Sequence, residues 1–115
     1  MAIEVTTNHF RHRDQAVAEI KLNGLRLVEL DVTPSNLHPA PHVHPYRVDV
    51  YVLDGVFEFH DMDTGHTHLL KAGSKAVVPP RTLHSEGLSA FRAAIGVSDD
   101  PSTRAEASDP SSMAI

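Results

Sequence analysis

Short runs of apolar and β-branched residues, separated by turn residues, recur roughly every ten positions along the chain. No long stretch has the apolar period of an amphipathic helix. Many short strands with regular turn signals are typical of an antiparallel sandwich or barrel. The predicted strands are an edge strand at Ile3–Thr7, then Leu25–Val32, Val48–Leu53, Val56–His60, His66–Leu70, Ala76–Val78 and Phe91–Val97.

The pair Asn23-Gly24 predicts a hairpin near the start of the barrel. It stands between Ala16–Leu22 and the run that begins at Leu25, and Asn-Gly is the strongest short-range hairpin signal because both residues accept a positive φ. We therefore expect a strand at Ala16–Leu22, although part of this run also fits a helical turn. The polar and basic segment His9–Gln15 before it is expected to cross the surface as a loop.

Two further turn signals fix connections in the middle of the chain. The dipeptide Asp54-Gly55 is expected to end the strand that precedes it. Asp63–Gly65 lies between Val56–His60 and His66–Leu70 and predicts a second hairpin. Together the signals predict an all-β fold, an antiparallel β-barrel or jelly roll with short loops.

The composition is that of an ordinary globular protein. The chain has 115 residues, enough for one domain with a modest core, and we assign residues 1–98 to that domain. Residues 99–115 form a tail rich in Ser, Asp and Pro, which we expect to be disordered or to hold a short helical turn. No cysteine is present, so thiolate ligands and disulfides are excluded. The net charge of −5 and the lack of a signal peptide or apolar span favour a cytoplasmic protein with neither nucleic acid nor membrane as partner.

Histidine is the one unusual feature, with nine copies scattered through the chain. His42 and His44 are spaced i, i+2 between prolines, so an extended chain projects both from one face. Two imidazoles on one face bind a divalent ion when a third ligand comes from elsewhere. His84, which follows a glycine, a β-rich run and a proline pair, is the candidate for that third ligand.

These residues resemble the two motifs of the cupin family. One motif has a His-x-His pair followed by a glutamate and a glycine, and the other has a glycine, a proline and a histidine at fixed spacing. The resemblance extends from about Leu25 to Val97 and implies a small single-domain cupin of the cupin 2 type, within the RmlC-like superfamily. The first motif matches at His42, His44 and Gly55, and the second at Gly73, Pro79 and His84.

The glutamate ligand of the first motif is missing. The family's two spacings after His44 place Val48 or Asp49 at its position. An unbroken strand that points His44 inward also points Val48 inward and Asp49 outward, whereas a bulge near the preceding proline reverses this. A three-histidine site and a site with Asp49 as fourth ligand therefore both stay open. His60 and His38 are further candidates for a fourth ligand or a general base.

Two residues are candidates for substrate binding. Arg81 occupies the position where the second motif has a glycine. It is either an exposed loop residue or a guanidinium at the barrel mouth that binds a substrate carboxylate through two hydrogen bonds. Tyr51 is a second candidate, although barrel core or a dimer contact is the favoured place for it.

The resemblance implies a function as well as a fold. Three-histidine cupin sites resemble those of thiol and diketone-cleaving dioxygenases, so we expect a metal-dependent, dioxygenase-like enzyme with a small-molecule substrate. The alternatives are a non-catalytic ligand-binding module and an isomerase-like sugar or uronate cupin. Neutral imidazole suits Fe, Ni, Mn, Cu and Zn alike, so the sequence does not select the metal. Exposed strand edges lead us to expect a homodimer.

Overall fold

The computed structural model describes residues 3–32, 40–87 and 89–98. Every strand pairing in this part of the chain is antiparallel, which confirms the predicted fold class. The expected tail at residues 99–115 lies outside the described residues. The elements are β1 Glu4–Thr6, α1 Arg13–Leu22, β2 Arg26–Val32, β3 Val48–Asp61, β4 His66–Lys71, β5 Lys75–Val78, β6 His84–Glu86 and β7 Phe91–Val97.

Strand β3 is long enough to belong to two sheets. Its first half pairs with β5 and β7 in a sheet of order β1-β5-β3-β7-β2, and its second half pairs with β4 and β6. The strand β1 stands at an edge of the first sheet, as expected. The hairpin predicted around Asp63–Gly65 is correct, because β3 and β4 pair from Val56↔Lys71 to Asp61↔His66.

The predicted turn at Asp54-Gly55 is wrong, because β3 runs through it. The pairing register with β7 shifts between Val52 and Asp54, which marks a bulge where the strand passes from one sheet to the other. Gly55 has a φ of +77°, and a Cβ there would lie 2.5 Å from the carbonyl oxygen of Ala90. Only glycine fits this crossing without displacing the β7 end of the barrel.

The barrel interior is lined by alternate residues of the strands. Val48, Val50 and Val52 of β3 all join the main apolar cluster, so this half of the strand keeps an unbroken alternation. Phe57 and Phe59 continue the lining beyond the bulge. The rest of the cluster comprises Ile3, Tyr46, Leu70, Ala76, Val78, Phe91, Ala93, Ile95 and Val97.

The hairpin expected at Asn23-Gly24 is wrong, because residues 13 to 22 form the helix α1. The same glycine ends that helix with a φ of +71°. The N–H of Gly24 donates to the carbonyl of Lys21, and the N–H of Leu25 donates to the carbonyl of Ile20. This pair of bonds is the Schellman arrangement, which needs the same positive φ as a hairpin turn. The dipeptide therefore predicted the positive φ of Gly24 correctly, but Asn23 has a φ of −82° and the flanking structure is a helix end.

The helix α1 covers the outer face of the first sheet. Ala16 and Ile20, four positions apart, are both buried against Tyr51 and Ala94. At its start, the side-chain oxygen of Gln15 accepts hydrogen bonds from the backbone N–H groups of residues 11 and 12. Because one face of β3 lines the barrel and the other lies under the helix, its first five residues are all buried. No described helix is long and apolar enough to cross a membrane.

Candidate metal centre

Backbone pairing brings the two histidine motifs together. The N–H of His42 donates to the carbonyl of His84 at 2.8 Å, and the N–H of His84 donates to the carbonyl of His42 at 3.0 Å. Directly opposed residues in an antiparallel pair project from the same face. His44, two residues after His42, projects from that face as well. The short strand β6, which the sequence did not predict, thus places His84 beside the His-x-His pair.

The three imidazoles converge. One ring nitrogen from each of His42, His44 and His84 lies within 4.8 Å of the other two. His44 and His84 are buried, whereas the side chain of His42 is 24% exposed. Solvent or a small molecule therefore reaches the cluster from the side on which His42 lies.

Hydrogen bonds set the tautomers of two of the rings. The Nδ1 atom of His42 lies 2.8 Å from the carbonyl oxygen of Ala40, and that of His84 lies 2.8 Å from the carbonyl oxygen of Thr82. A carbonyl oxygen can only accept, so each Nδ1 carries the proton and donates it. The Nε2 atom of a neutral ring then presents a lone pair. Metal-binding histidines are commonly held in this way by a second hydrogen bond, so the ring chemistry fits a divalent ion.

Aromatic neighbours fix the planes of the two buried rings. His84 stacks on Phe59 with 4.8 Å between ring centroids and 18° between planes. His44 stacks on Tyr46 with 5.2 Å and 22°. Both aromatic residues belong to the barrel core. The rings are therefore held by packing as well as by hydrogen bonds.

Neither of the two candidates for the missing glutamate, Val48 and Asp49, belongs to the converging group of ligand atoms. Val48 faces the barrel core. Asp49 is fully buried, but each of its oxygens lies 2.7 Å from a guanidinium nitrogen of Arg47. Both oxygens are thus held in a bidentate ion pair. The structure places Asp49 in this pair and outside the group of histidine nitrogens.

Tyr51 belongs to the outer face of the first sheet and packs under α1. Its hydroxyl donates to Glu19, which also receives hydrogen bonds from His9 and Lys75. Burial alone would raise the pKa of Glu19, but the bonds from Tyr51, His9 and Lys75 outweigh it and lower this pKa to about 2. Burial and the bond to Glu19 raise the pKa of Tyr51. Its hydroxyl is therefore occupied in fastening the helix to the sheet.

Arg81 keeps the backbone conformation of the glycine that the family motif has at this position. Its φ is +59°, in the left-handed region that favours glycine. Its N–H donates to the carbonyl of His44 at 2.7 Å, and its side chain is exposed. The turn thus ties the backbone of the second motif to that of the first, with the side chain of Arg81 exposed.

Glu86 is the residue at this site that sequence reasoning missed. It is only 4% exposed, and its Oε2 lies 3.5 Å from Nε2 of His42. It stands two positions after His84 on β6. The His-x-Glu spacing is the same alternation that made His42 and His44 a pair, so this signal was present in the sequence.

The remaining histidines lie apart from this cluster. His60 contacts Oγ1 of Thr67 at 3.0 Å and a carboxylate oxygen of Glu58 at 3.2 Å. His66 is exposed and His68 half-buried on β4. The candidate His38 lies outside the described residues. Among described residues, His42, His44 and His84 form the only group whose ligand atoms converge.

Solved structures with a similar fold exist, although no protein-family model and no curated protein matches the sequence. A DUF861 family protein from Thermotoga maritima is 13% identical, with a TM-score of 0.53 over 82% of this chain and 97% of its own. The polyketide cyclase RemF from Streptomyces resistomycificus is 22% identical, with a TM-score of 0.48 over 76% and 70%. A putative ethanolamine utilization protein Q from Salmonella typhimurium is 16% identical, with a TM-score of 0.47 over 84% and 69%.

At these identities the likeness to the Thermotoga protein concerns the fold alone. That protein has the cupin fold, and so does this chain. The likeness confirms the predicted fold, and membership of the cupin family stays a prediction. The narrower assignment to the cupin 2 type stays a prediction.

Proposed function

We propose that this protein is a metal-dependent cupin enzyme with dioxygenase-like chemistry, acting on a small oxygenated organic acid or diketone. The observation that carries the proposal is the convergence of one nitrogen from each of His42, His44 and His84. Neutral imidazoles are donors for Fe, Ni, Mn, Cu and Zn. Three of them leave coordination positions open for a chelating substrate.

The residues around the cluster have separate tasks in this proposal. Phe59 and Tyr46 hold the rings and exclude water from the buried side. The half-exposed side at His42 admits the substrate. Arg81, exposed next to the histidine segment, is proposed to bind a substrate carboxylate. When bound, the ion supplies Lewis acidity and, if it is iron, a means of activating dioxygen.

Elemental analysis and oxygen consumption test the proposal together. The protein purified without chelator is expected to hold about one divalent metal ion per chain, as three convergent imidazoles imply. It should then consume oxygen with at least one member of a panel of diketones, thiols and hydroxy acids. His84→Ala is the matched loss-of-site variant and should lose both properties.

The other outcomes separate the alternative functions. Metal with tight ligand binding but no turnover would indicate a binding module. Turnover of a sugar or uronate without oxygen uptake would indicate an isomerase. A protein that holds no metal after reconstitution with any of the five ions would contradict the proposal as a whole.

A further inference from the structure

Glu86 is a carboxylate buried beside the three histidines. Among the described residues its Oε2 atom has no hydrogen-bond partner, and Nε2 of His42 lies 3.5 Å from it. A buried carboxylate is costly unless it is paired with a cation or fully hydrogen-bonded. This one needs a positive partner close to Nε2 of His42.

The orientation of the His42 ring increases the need of Glu86 for a positive partner. Its Nδ1–H donates to the carbonyl of Ala40, so the neutral ring turns the lone pair of Nε2 toward the carboxylate oxygen of Glu86. Two lone pairs 3.5 Å apart repel each other. A cation that both atoms bind turns this repulsion into attraction.

The distance is suited to such a shared ion. Two ligands about 2.1 Å from one metal, at tetrahedral or octahedral angles, lie about 3.0–3.4 Å apart. The separation between Nε2 of His42 and Oε2 of Glu86 is close to such an edge. We propose that Glu86 is a fourth protein ligand of the ion, supplied by β6 in place of the glutamate that the first motif lacks.

This inference rests on the proposed metal site and adds the negative charge of Glu86 to it. The group of atoms within 4.8 Å of one another comprises the three histidine nitrogens alone. Ligation by Glu86 therefore includes a rotation of its side chain from His42 toward His44 and His84. Three histidines and one glutamate leave two positions of an octahedral ion, enough for a bidentate substrate, and reduce the net charge of the site by one.

Metal titration of the full chain tests the role of Glu86. Zn²⁺ and Co²⁺ are titrated against a chromophoric chelator into the wild type, Glu86→Gln and Asp49→Asn. Gln has the size of Glu without its charge, so Glu86→Gln is expected to weaken Zn²⁺ binding by at least about 10-fold, no less than the loss of an outer-shell partner, and to change the Co²⁺ absorption spectrum. Asp49→Asn removes an equally buried carboxylate outside the histidine group and should leave affinity and spectrum unchanged.

A wild-type measurement supports the titration without any variant. Infrared difference spectra of the metal-loaded and metal-free protein should show a shift of carboxylate stretching bands. Glu86→Gln should lack that shift. It should also melt no lower than the wild type when both are metal-free, because it removes a buried charge.

Each contrary result has its own meaning. Wild-type affinity in Glu86→Gln, together with an unshifted carboxylate band, would overturn the ligand role while leaving the three-histidine site intact. A metal-free Glu86→Gln protein that melts lower than wild type at unchanged affinity would make Glu86 the ion-pair partner of a protonated His42. If Asp49→Asn weakens binding as much, the effect belongs to the fold. A wild type that binds neither metal would overturn the proposed function along with this inference.

Discussion

Asp49 and Glu86 are both buried carboxylates, but their surroundings differ. Both oxygens of Asp49 are held by Arg47 at 2.7 Å. Glu86 instead points Oε2 at a histidine nitrogen 3.5 Å away. The outer face of the first sheet, where Asp49 and Glu19 lie, satisfies its charges with other side chains of the protein. Beside the histidine cluster, the charge of Glu86 instead faces potential metal ligands.

The contrast offers a way to separate structural from functional charges. A carboxylate that several donors of the same chain already bind contributes to stability and has little capacity left for an external ligand. A buried carboxylate that faces nitrogen lone pairs destabilises the metal-free protein and favours cation binding. Substitutions in the two regions should therefore affect different measurements.

His84→Ala should have the largest effect of the variants, and that effect should be on metal binding. Loss of a buried ligand is expected to weaken binding by more than about 100-fold, beyond the range typical of outer-shell changes. Metal content after dialysis and chelator competition measure this. The control is His66→Ala, which removes an exposed histidine. Equal loss in both variants would mean that the bound metal is not at the cluster.

Asp49→Asn should act on stability alone. Removing the charge weakens the bonds between the buried side chain of Asp49 and the partly exposed side chain of Arg47, and the free energy of unfolding should fall by about 1.5–3 kcal/mol. Urea unfolding of the metal-free protein measures the change. The metal affinity of the folded variant should equal that of the wild type. A loss of affinity comparable to that of His84→Ala would erase the distinction between the two regions.

Acid should destabilise the outer face through Glu19. Its pKa is lowered from 4.5 to about 2 in the folded protein. A lowered pKa contributes stability that is present above the unfolded value and is lost as pH falls through the folded value. Metal-free wild type should therefore lose stability between about pH 4.5 and pH 2. Glu19→Gln should be less stable at neutral pH and show a flatter profile in this window, and identical slopes would contradict the role of the network.

Arg81→Gly should change the free energy of unfolding least, and it should stabilise the protein, unlike Asp49→Asn and Glu19→Gln. Relief of the left-handed backbone at a non-glycine residue should raise the free energy of unfolding by about 1 kcal/mol. Arg81→Ala keeps the Cβ atom and should give no such gain. Thermal melts measure both variants. If Arg81 also binds a substrate carboxylate, both variants should raise KM equally, which separates the side chain's role from the backbone's.

The sequence predicted most of the barrel because its signals there are local. Alternation in Val48–Leu53 and Phe91–Val97 and the turn at Asp63–Gly65 each depend on neighbouring residues. The two errors arose at glycines. A positive φ at Gly24 serves a helix end as well as a hairpin, and a positive φ at Gly55 serves a bulge as well as a turn. Whether Gly24 ends a helix or forms a hairpin, and whether Gly55 forms a bulge or a turn, depends on packing against α1 and β7. A local sequence pattern carries no information about that packing.

The candidate site was predicted in the same uneven way. His42, His44 and His84 were found because their spacing carries the family motif. The sequence does not decide whether Val48 or Asp49 faces the barrel, because this depends on whether the alternation of side chains continues unbroken past Pro45. Glu86 was overlooked because β6 has only three residues, too few to be recognised as a strand, so the His-x-Glu spacing was not read as an alternation. Its position next to His42 is a consequence of long-range pairing.

Anomalous diffraction tests most directly whether the three histidines hold one divalent ion. Crystals of the protein reconstituted with Co²⁺ or Zn²⁺ would be measured on both sides of the metal absorption edge. The predicted result is a single strong anomalous peak about 2.0–2.2 Å from one nitrogen of each of His42, His44 and His84. The contradicting result is full metal occupancy elsewhere, such as at His66 and His68, with no peak among the three histidines.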